Sequence, residues 1–169
     1  MQTLEEMFEY QIRVMYGVEF RLLDILQNTA VETQDLKMKK ALAEHRNRSL
    51  GHIKRLERIF RVIGKQPGER PCHELEGFIK EKEAFAQEKP AKDLLDLFNL
   101  ESARKIEQFE IASYAGLHNL AAKLRLPNVL KLLRDNLREE ENFLFELKLL
   151  SPRLAPETAP AAEAPEKVA

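Results

Sequence analysis

Apolar side chains recur every three or four positions over most of the chain, the spacing that lines one face of an α-helix. This pattern predicts four long helices, over about residues 3–28, 33–63, 90–124 and 127–150, and a shorter helix over about 73–86. No segment keeps the alternation of apolar and polar residues that a half-buried strand requires. The sequence therefore predicts an all-α fold. We expect a four-helix bundle with an additional short helix in the connection between the second and third long helices.

Signals at the helix ends support these boundaries. Thr3 and Glu6 have the spacing of a capping box, in which each side chain accepts a hydrogen bond from the other residue's backbone amide. Gly64 follows the second long helix, as expected where a helix stops. Half of the eight prolines fall in a C-terminal segment built largely from Ala, Pro and Glu. We therefore predict one bundle domain over residues 1–150 and a disordered tail over residues 151–169.

Each long helix also carries polar residues on its apolar face, near the middle of its length. Side chains on that face point to the centre of a bundle, so these residues are predicted to be buried. They are Glu19 in the first helix, His45, Ser49 and His52 in the second, Glu107 and Glu110 in the third, and Glu140 in the fourth. For one glutamate alone, a solvated position at the edge of the face is the simpler interpretation. The same feature in four helices indicates a polar centre.

A polar centre of this kind points to metal chemistry. An ionised carboxylate that is buried without a partner destabilises a protein by several kcal/mol. A bound cation removes that penalty for several carboxylates at once. Inward-facing carboxylates and imidazoles are the ligands with which helical bundles hold pairs of iron or manganese ions.

Composition narrows the function further. The chain has 27 Lys and Arg against 28 Asp and Glu, a net charge of −1, which removes the bulk electrostatic case for nucleic-acid binding. The single cysteine, Cys72, excludes an intramolecular disulfide and a cysteine-rich zinc cluster. No apolar run approaches about 18 residues, the length of a membrane span, and the acidic N-terminus is unlike a signal peptide. We therefore expect a cytoplasmic protein that binds neither membrane nor nucleic acid.

Five segments of the sequence resemble a known family. They are MQTLEEMFEYQIRVMYGVEFRLL, HRNRSLGHIKRLERIFRVIGKQPG, CHELEGFI, KIEQFEIASYAGL and LREEENFLFEL. Together they are similar to the YciE/YciF family of ferritin-like, stress-associated bacterial proteins, in register over about residues 1–150. The most specific segment, IEQFEIASY, reproduces the family's E-x-x-E-I-A-x-Y pattern. The resemblance implies a rubrerythrin-like bundle, a homodimer, a role in the stress response and a dinuclear metal site.

The resemblance also implies which residues would bind the metal. Glu19 matches the glutamate of the first helix, and Glu107 and Glu110 match a pair on the third helix. Glu139 and Glu140 match an acidic pair on the fourth helix, in which Glu140 has the inward register.

The second and the fourth helix depart from the family pattern. The second helix of the family usually reads H-x-x-E-T-x-x-Q, where this chain has His45, Arg48, Ser49 and His52. Arginine therefore replaces a carboxylate, and histidine replaces a glutamine. On the fourth helix, Leu144 stands where the family usually has a second acidic residue.

Two hypotheses follow from these departures. In the first, His52 or His45 compensates, and a degenerate site binds iron or manganese. The residues assigned to that site are Glu19, His52, Glu107, Glu110 and Glu140. In the second, the guanidinium of Arg48 pairs with the buried carboxylates, no metal is bound, and the bundle acts as a structural or interaction module. A full di-iron oxidase activity is not expected, because two anionic ligands of the family pattern are missing.

Overall fold

The computed structural model describes residues 1–154, and this part of the chain forms five helices. They are α1 (Leu4–Glu32), α2 (Leu36–Val62), α3 (His73–Gln87), α4 (Lys92–Lys123) and α5 (Pro127–Leu154). The predicted all-α bundle with a short extra helix is confirmed. Within residues 1–154, none of the helices combines the length and the apolar character needed to cross a membrane. Residues 155–169, most of the predicted disordered tail, lie outside the described residues.

The four long helices form a bundle with one long crossover. α1 packs on α2, and α4 packs on α5. Contacts between α2 and α5 and between α1 and α4 join these two pairs into the bundle. The short α1–α2 and α4–α5 turns make each of those pairs antiparallel. α2 and α4 run parallel, since His45 lies beside Glu107 and His52 lies beside Tyr114, further along both helices. The connection that joins them contains α3, which packs on α4, the topology of ferritin-like bundles.

The turn between α1 and α2 is fixed by a carboxylate from α4. Asp96, which is 4% exposed, accepts hydrogen bonds from the backbone amides of Gln34 and Asp35 at 3.0 and 3.1 Å. These bonds replace the hydration that the buried carboxylate loses. α1 continues to Glu32, beyond its predicted end near residue 28, and the turn that follows it is the part held against α4 in this way.

α5 also extends beyond its predicted end, so residues 151–154 are helical and do not belong to the tail. Pro152 disfavours a helical conformation for the residue before it, and the sequence therefore predicted a stop here. Tertiary contacts outweigh that preference. Leu154 packs against the core, and Arg153 Nη2 lies 3.7 Å from Asp35 Oδ2.

The interior of the bundle is filled by large apolar side chains from all four long helices. Phe8, Phe60, Leu117 and Phe143 are each at most 1% exposed, and burial of such a side chain contributes about 1.5–3 kcal/mol. The polar residues described next lie within this apolar interior, where water does not compete for their charges.

Candidate metal centre

Seven polar side chains from α1, α2, α4 and α5 are buried in the middle of the bundle. They are Glu19, His45, Ser49, His52, Glu107, Glu110 and Glu140, each at most 2% exposed. Their helical spacing explains the arrangement, because residues three, four and seven apart share one face of a helix. All five side chains that the sequence assigned to the metal site are in this layer. Six of the seven divide into two groups of potential metal ligands that share one carboxylate.

The shared carboxylate is that of Glu140, and it lies between two histidines. Its Oε1 is 2.8 Å from His52 Nδ1, and its Oε2 is 3.4 Å from His45 Nε2. Each oxygen therefore faces a different imidazole. A carboxylate in this position can bind one cation through each oxygen.

The first group consists of His45, Glu107, Glu110 and Glu140. One ligand atom from each residue lies within 4.8 Å of all the others, and His45 Nε2 is 3.4 Å from Glu107 Oε1. The His45 ring is stacked on Phe143, with ring centroids 3.8 Å apart and an interplanar angle of 9°. This packing fixes the plane of the imidazole and directs Nε2 at the carboxylates.

The second group consists of Glu19, His52 and Glu140. His52 Nδ1 lies 3.1 Å from Glu19 Oε1, while Nε2 on the opposite side of the ring lies 2.9 Å from Glu139 Oε2. Glu139 is held in turn by Arg55, whose Nη2 donates to the same oxygen at 2.6 Å. Metal-binding histidines commonly have a carboxylate on their other ring nitrogen, which fixes the tautomer and the ring orientation.

A buried tyrosine orients the glutamate of α1. Tyr114 is fully buried, and its hydroxyl donates to Glu19 Oε1. Burial raises the pKa of Tyr114 well above its usual value, and the charge of Glu19 adds to the effect. The phenol therefore stays protonated and remains a donor.

Several ligand atoms of the two groups have no hydrogen-bond partner among residues 1–154. They are Glu19 Oε2, Glu107 Oε2, both carboxylate oxygens of Glu110 and both ring nitrogens of His45. Buried polar atoms in native proteins nearly always have a partner, and a bound ion is one of the accepted explanations when no protein group fills that role. The donor set of carboxylates and imidazoles suits iron and manganese. The residues present therefore fit such a cation.

The titration behaviour of the centre reflects burial first and local charge second. Burial raises the pKa of Glu107 and of Glu110 well above the usual range, and the charge of Glu140 raises both further. Burial lowers the pKa of His45 well below its usual value, and the charge of His52 adds to this. For His52, burial alone would lower the pKa, but Glu19, Glu139 and Glu140 outweigh it and raise the pKa to about 12. Without a metal, the His52 imidazolium is thus the internal counter-ion of the carboxylates.

Known proteins share both the sequence pattern and the fold of this chain. A family profile described as a domain of unknown function, DUF892, matches residues 3–160. The chain belongs to the DUF892 family. It is 29% identical over 142 residues to protein YciF of Escherichia coli strain K12, covering 83% of this chain and 86% of YciF.

Two solved structures show the same fold as this DUF892 chain. The crystal structure of the E. coli stress protein YciF matches with a TM-score of 0.85 at 28% identity, over 91% of this chain and 98% of that one. A Rhodopseudomonas palustris protein named YcfI, described as a candidate structural protein, matches with a TM-score of 0.84 at 27% identity. The match covers 87% of this chain and 94% of the R. palustris protein. The predicted resemblance to the YciF family is confirmed.

The hypothesis that Arg48 neutralises the buried carboxylates is wrong for this DUF892 chain. The Arg48 guanidinium points away from the centre, and its Nη2 lies 3.0 Å from Glu146 Oε1 at the surface of α5. It also lies over the Phe143 ring, 5.9 Å from the centroid. The inward face of α2 contains His45, Ser49 and His52, and Arg48 is rotated off that face toward α5.

His45 is the ligand candidate that the assigned set omitted. The sequence offered a signal for it, because His45 and His52 are seven residues apart and occupy the same inward face of α2. Glu139 contributes as an outer partner of His52. Leu144, which stands where the fourth helix of the family usually has an acidic residue, is 9% exposed and apolar, so it offers no ligand.

Arg48→Ala is expected to change the free energy of unfolding by less than about 1 kcal/mol. Arg48 and Glu146 are 26% and 39% exposed, and partly solvated ion pairs contribute about 0–1 kcal/mol. Urea unfolding should give nearly the same value as for Arg58→Ala, an exposed arginine of the same helix. A loss of more than about 2 kcal/mol relative to that control would show that Arg48 does pair with the buried carboxylates.

Proposed function

We propose that the protein is a ferritin-like stress-response protein that holds two iron or manganese ions at the bundle centre. The observation that carries the proposal is the position of Glu140, whose two oxygens face His52 and His45, at 2.8 and 3.4 Å. The role in stress is inferred from the relative in E. coli, which is described as a stress protein. Two cations would neutralise the charge of the buried glutamates, and the unpartnered carboxylate oxygens would bind them as ligands.

Each group of residues would hold one ion and share Glu140 with the other. His45, Glu107 and Glu110 would complete the first site, and Glu19 and His52 the second. Such ions supply Lewis acidity and, for iron and manganese, redox chemistry. The chain's own residues orient and shield the ligands: Phe143 fixes the His45 ring, Glu139 holds the far side of His52, and Tyr114 holds Glu19.

A titration of chelator-treated protein with Mn²⁺, and with Fe²⁺ under anaerobic conditions, tests the proposal. Calorimetry should detect two equivalents per chain, one for each group. Arg48→Ala is the matched control and should bind the same number, since Arg48 lies outside both groups. Binding of neither ion by a folded chain would contradict the proposal.

One observation favours a second candidate, a metal-free bundle that acts as a structural or interaction module. His52 lies within 3.1 Å of carboxylate oxygens of Glu19, Glu139 and Glu140. It can therefore serve as the internal counter-ion, the role that the second hypothesis gave to Arg48. The R. palustris relative is described as a candidate structural protein. Absence of metal from protein purified without chelator would favour this candidate.

We further propose that the protein is a cytoplasmic homodimer; the family resemblance implies the dimer, and the composition of the chain supports the location. Phe145 and Leu149 support an interface on the outer face of α5, because they lie one helical turn apart and are each 61% exposed. Large exposed apolar side chains in one patch commonly mark an interaction surface. Light scattering should give a mass near twice 19.6 kDa, and a monomeric mass for Phe145→Glu; a monomeric parent would contradict the dimer.

A further inference from the structure

A narrow slot between α1, α3 and α4 leads from the surface into the bundle. Its volume is about 390 Å³, within the size range of small-molecule sites. Most of the wall is apolar, including Leu22, Leu26, Phe78, Ile79, Ala103 and Ile106. Leu42 of α2, on the opposite side of the bundle, also lines the slot. The slot therefore passes between α1 and α4 and reaches the interior.

The inner end of the slot lies at the candidate metal centre. α4 lines the slot from Leu95 to Glu107, and at 1.5 Å per residue this wall is about 18 Å long. Glu107 is also a member of the first ligand group, where its Oε1 is 3.4 Å from His45 Nε2. An elongated molecule in the slot would thus have one end beside the carboxylates.

Asn99 provides a buried polar position on the α4 wall, which also includes Ser102. It lies two helical turns before Glu107, about 12 Å away along α4, and it is 1% exposed. Neither its amide oxygen nor its amide nitrogen has a hydrogen-bond partner in the described part of the chain. A hydroxyl group can accept from the amide nitrogen and donate to the amide oxygen at the same time. A ligand hydroxyl would therefore satisfy both atoms.

Charges along the slot disfavour an anionic head group. Lys82 Nζ lies 2.8 Å from Glu32 Oε2 and donates to Thr29 Oγ1 at 2.8 Å, so its charge is already paired. Glu83 adds a further carboxylate to the lining, and Lys82 is its one cationic residue in the described part of the chain. An uncharged head group avoids this excess of negative charge.

We propose that the slot binds a straight-chain aliphatic molecule with an uncharged hydroxyl head, its hydroxyl on Asn99 and its chain directed toward Glu107. The apolar wall accommodates the chain, and the unpartnered amide selects the head. The position of the chain end makes this molecule a candidate substrate of the metal centre. That last role rests on the proposed function, whereas binding itself depends on the slot alone.

Titration of the full-length, metal-free protein with 1-octanol tests the ligand site. Methyl NMR signals of Leu22 and Ile106, both on the wall of the slot, should shift in a saturable manner with one ligand per chain. Octanoate should bind at least about tenfold more weakly, a difference of about 1.4 kcal/mol. Asn99→Ala should weaken the binding of 1-octanol by a similar factor. Absence of saturable binding, or equal binding of octanol and octanoate, would overturn the proposal.

Substitutions that fill the slot provide the matched controls. Ala103→Leu narrows the buried wall, and Ala86→Trp blocks the exposed mouth, where folding is not at risk. Both should weaken octanol binding at least about tenfold, whereas Ala84→Trp should not, because Ala84 is exposed on α3 and lies outside the slot. Unchanged binding by Ala86→Trp would place the ligand elsewhere and overturn the proposal.

The orientation of the ligand is tested separately, with Mn²⁺ added to the octanol complex. The terminal methyl of octanol should relax faster than its CH₂OH group, because the chain end lies toward Glu107. Faster relaxation of the CH₂OH group would overturn the orientation. If Mn²⁺ does not bind and octanol still does, the proposed function fails while the ligand site stands.

Discussion

Glu140→Gln is expected to abolish the binding of both metal ions. The substitution keeps the size of the side chain but removes the charge of the carboxylate that faces both histidines. Loss of an outer partner of a metal ligand already weakens affinity by about 10–100-fold, so loss of a shared ligand should weaken each site by more than about a hundredfold. An ion present at 100 times its Kd stabilises a folded protein by about 2.7 kcal/mol. That stabilisation should disappear in the variant.

Calorimetry with Mn²⁺ and thermal unfolding with and without Mn²⁺ measure this prediction. Glu141→Ala is the control, because Glu141 is the next residue of α5 and is exposed. It should keep the stoichiometry and the metal-dependent rise in Tm of the parent. Retention of both equivalents at parental affinity by Glu140→Gln would show that Glu140 is not a shared ligand.

Glu110→Met is expected to stabilise the metal-free protein by about 1–3 kcal/mol. Glu110 is completely buried, and neither of its carboxylate oxygens has a partner within residues 1–154. A buried polar group without a hydrogen bond destabilises the fold by about 1–3 kcal/mol, and an apolar side chain of similar shape removes that penalty. The same substitution removes a ligand, so the metal-dependent stabilisation should decrease.

The pH dependence of stability provides a second readout of this variant. Burial raises the folded-state pKa of Glu110 above its ordinary value of 4.5. The unfolded chain then releases its proton at lower pH than the folded chain, so the metal-free parent loses stability as pH rises from 4.5 through the folded-state pKa. Glu110→Met should lose less stability over that interval.

Urea unfolding in the presence of chelator measures both effects. Glu101→Met, on the same helix, is the control, since Glu101 is 42% exposed and surface substitutions usually change stability by less than about 0.5 kcal/mol. A metal-free Glu110→Met protein that is less stable than the parent by more than about 1 kcal/mol would contradict this account. It would mean that the carboxyl group of Glu110 has a stabilising partner.

The fold was predictable because helical periodicity and the long crossover are properties of the sequence. The helix ends were less predictable, since they depend on contacts between distant residues. Asp96 of α4 holds the turn after α1, and the contact between Arg153 and Asp35 accompanies an α5 that continues past Pro152. Neither contact can be inferred from local propensity.

The sequence predicted correctly which glutamates are buried at the centre of the bundle. Glu19, Glu107, Glu110 and Glu140 interrupt apolar faces at helical spacing, and all four are buried together. The hypothesis that Arg48 pairs with the buried carboxylates is wrong because Arg48 lies beside the inward face of α2, where a long side chain can turn either way. It turns toward Glu146. The slot depends on the placement of α3 against α1 and α4, which no local pattern specifies.

Metal analysis of the full-length protein, purified without chelator and measured by mass spectrometry of the elements, tests the central claim most directly. The account predicts about two ions of iron or manganese per chain, one for each ligand group. It also predicts the same content in Glu141→Ala and almost none in Glu140→Gln. A folded parent protein that contains no transition metal, and that takes up none when Mn²⁺ or Fe²⁺ is supplied, would contradict it.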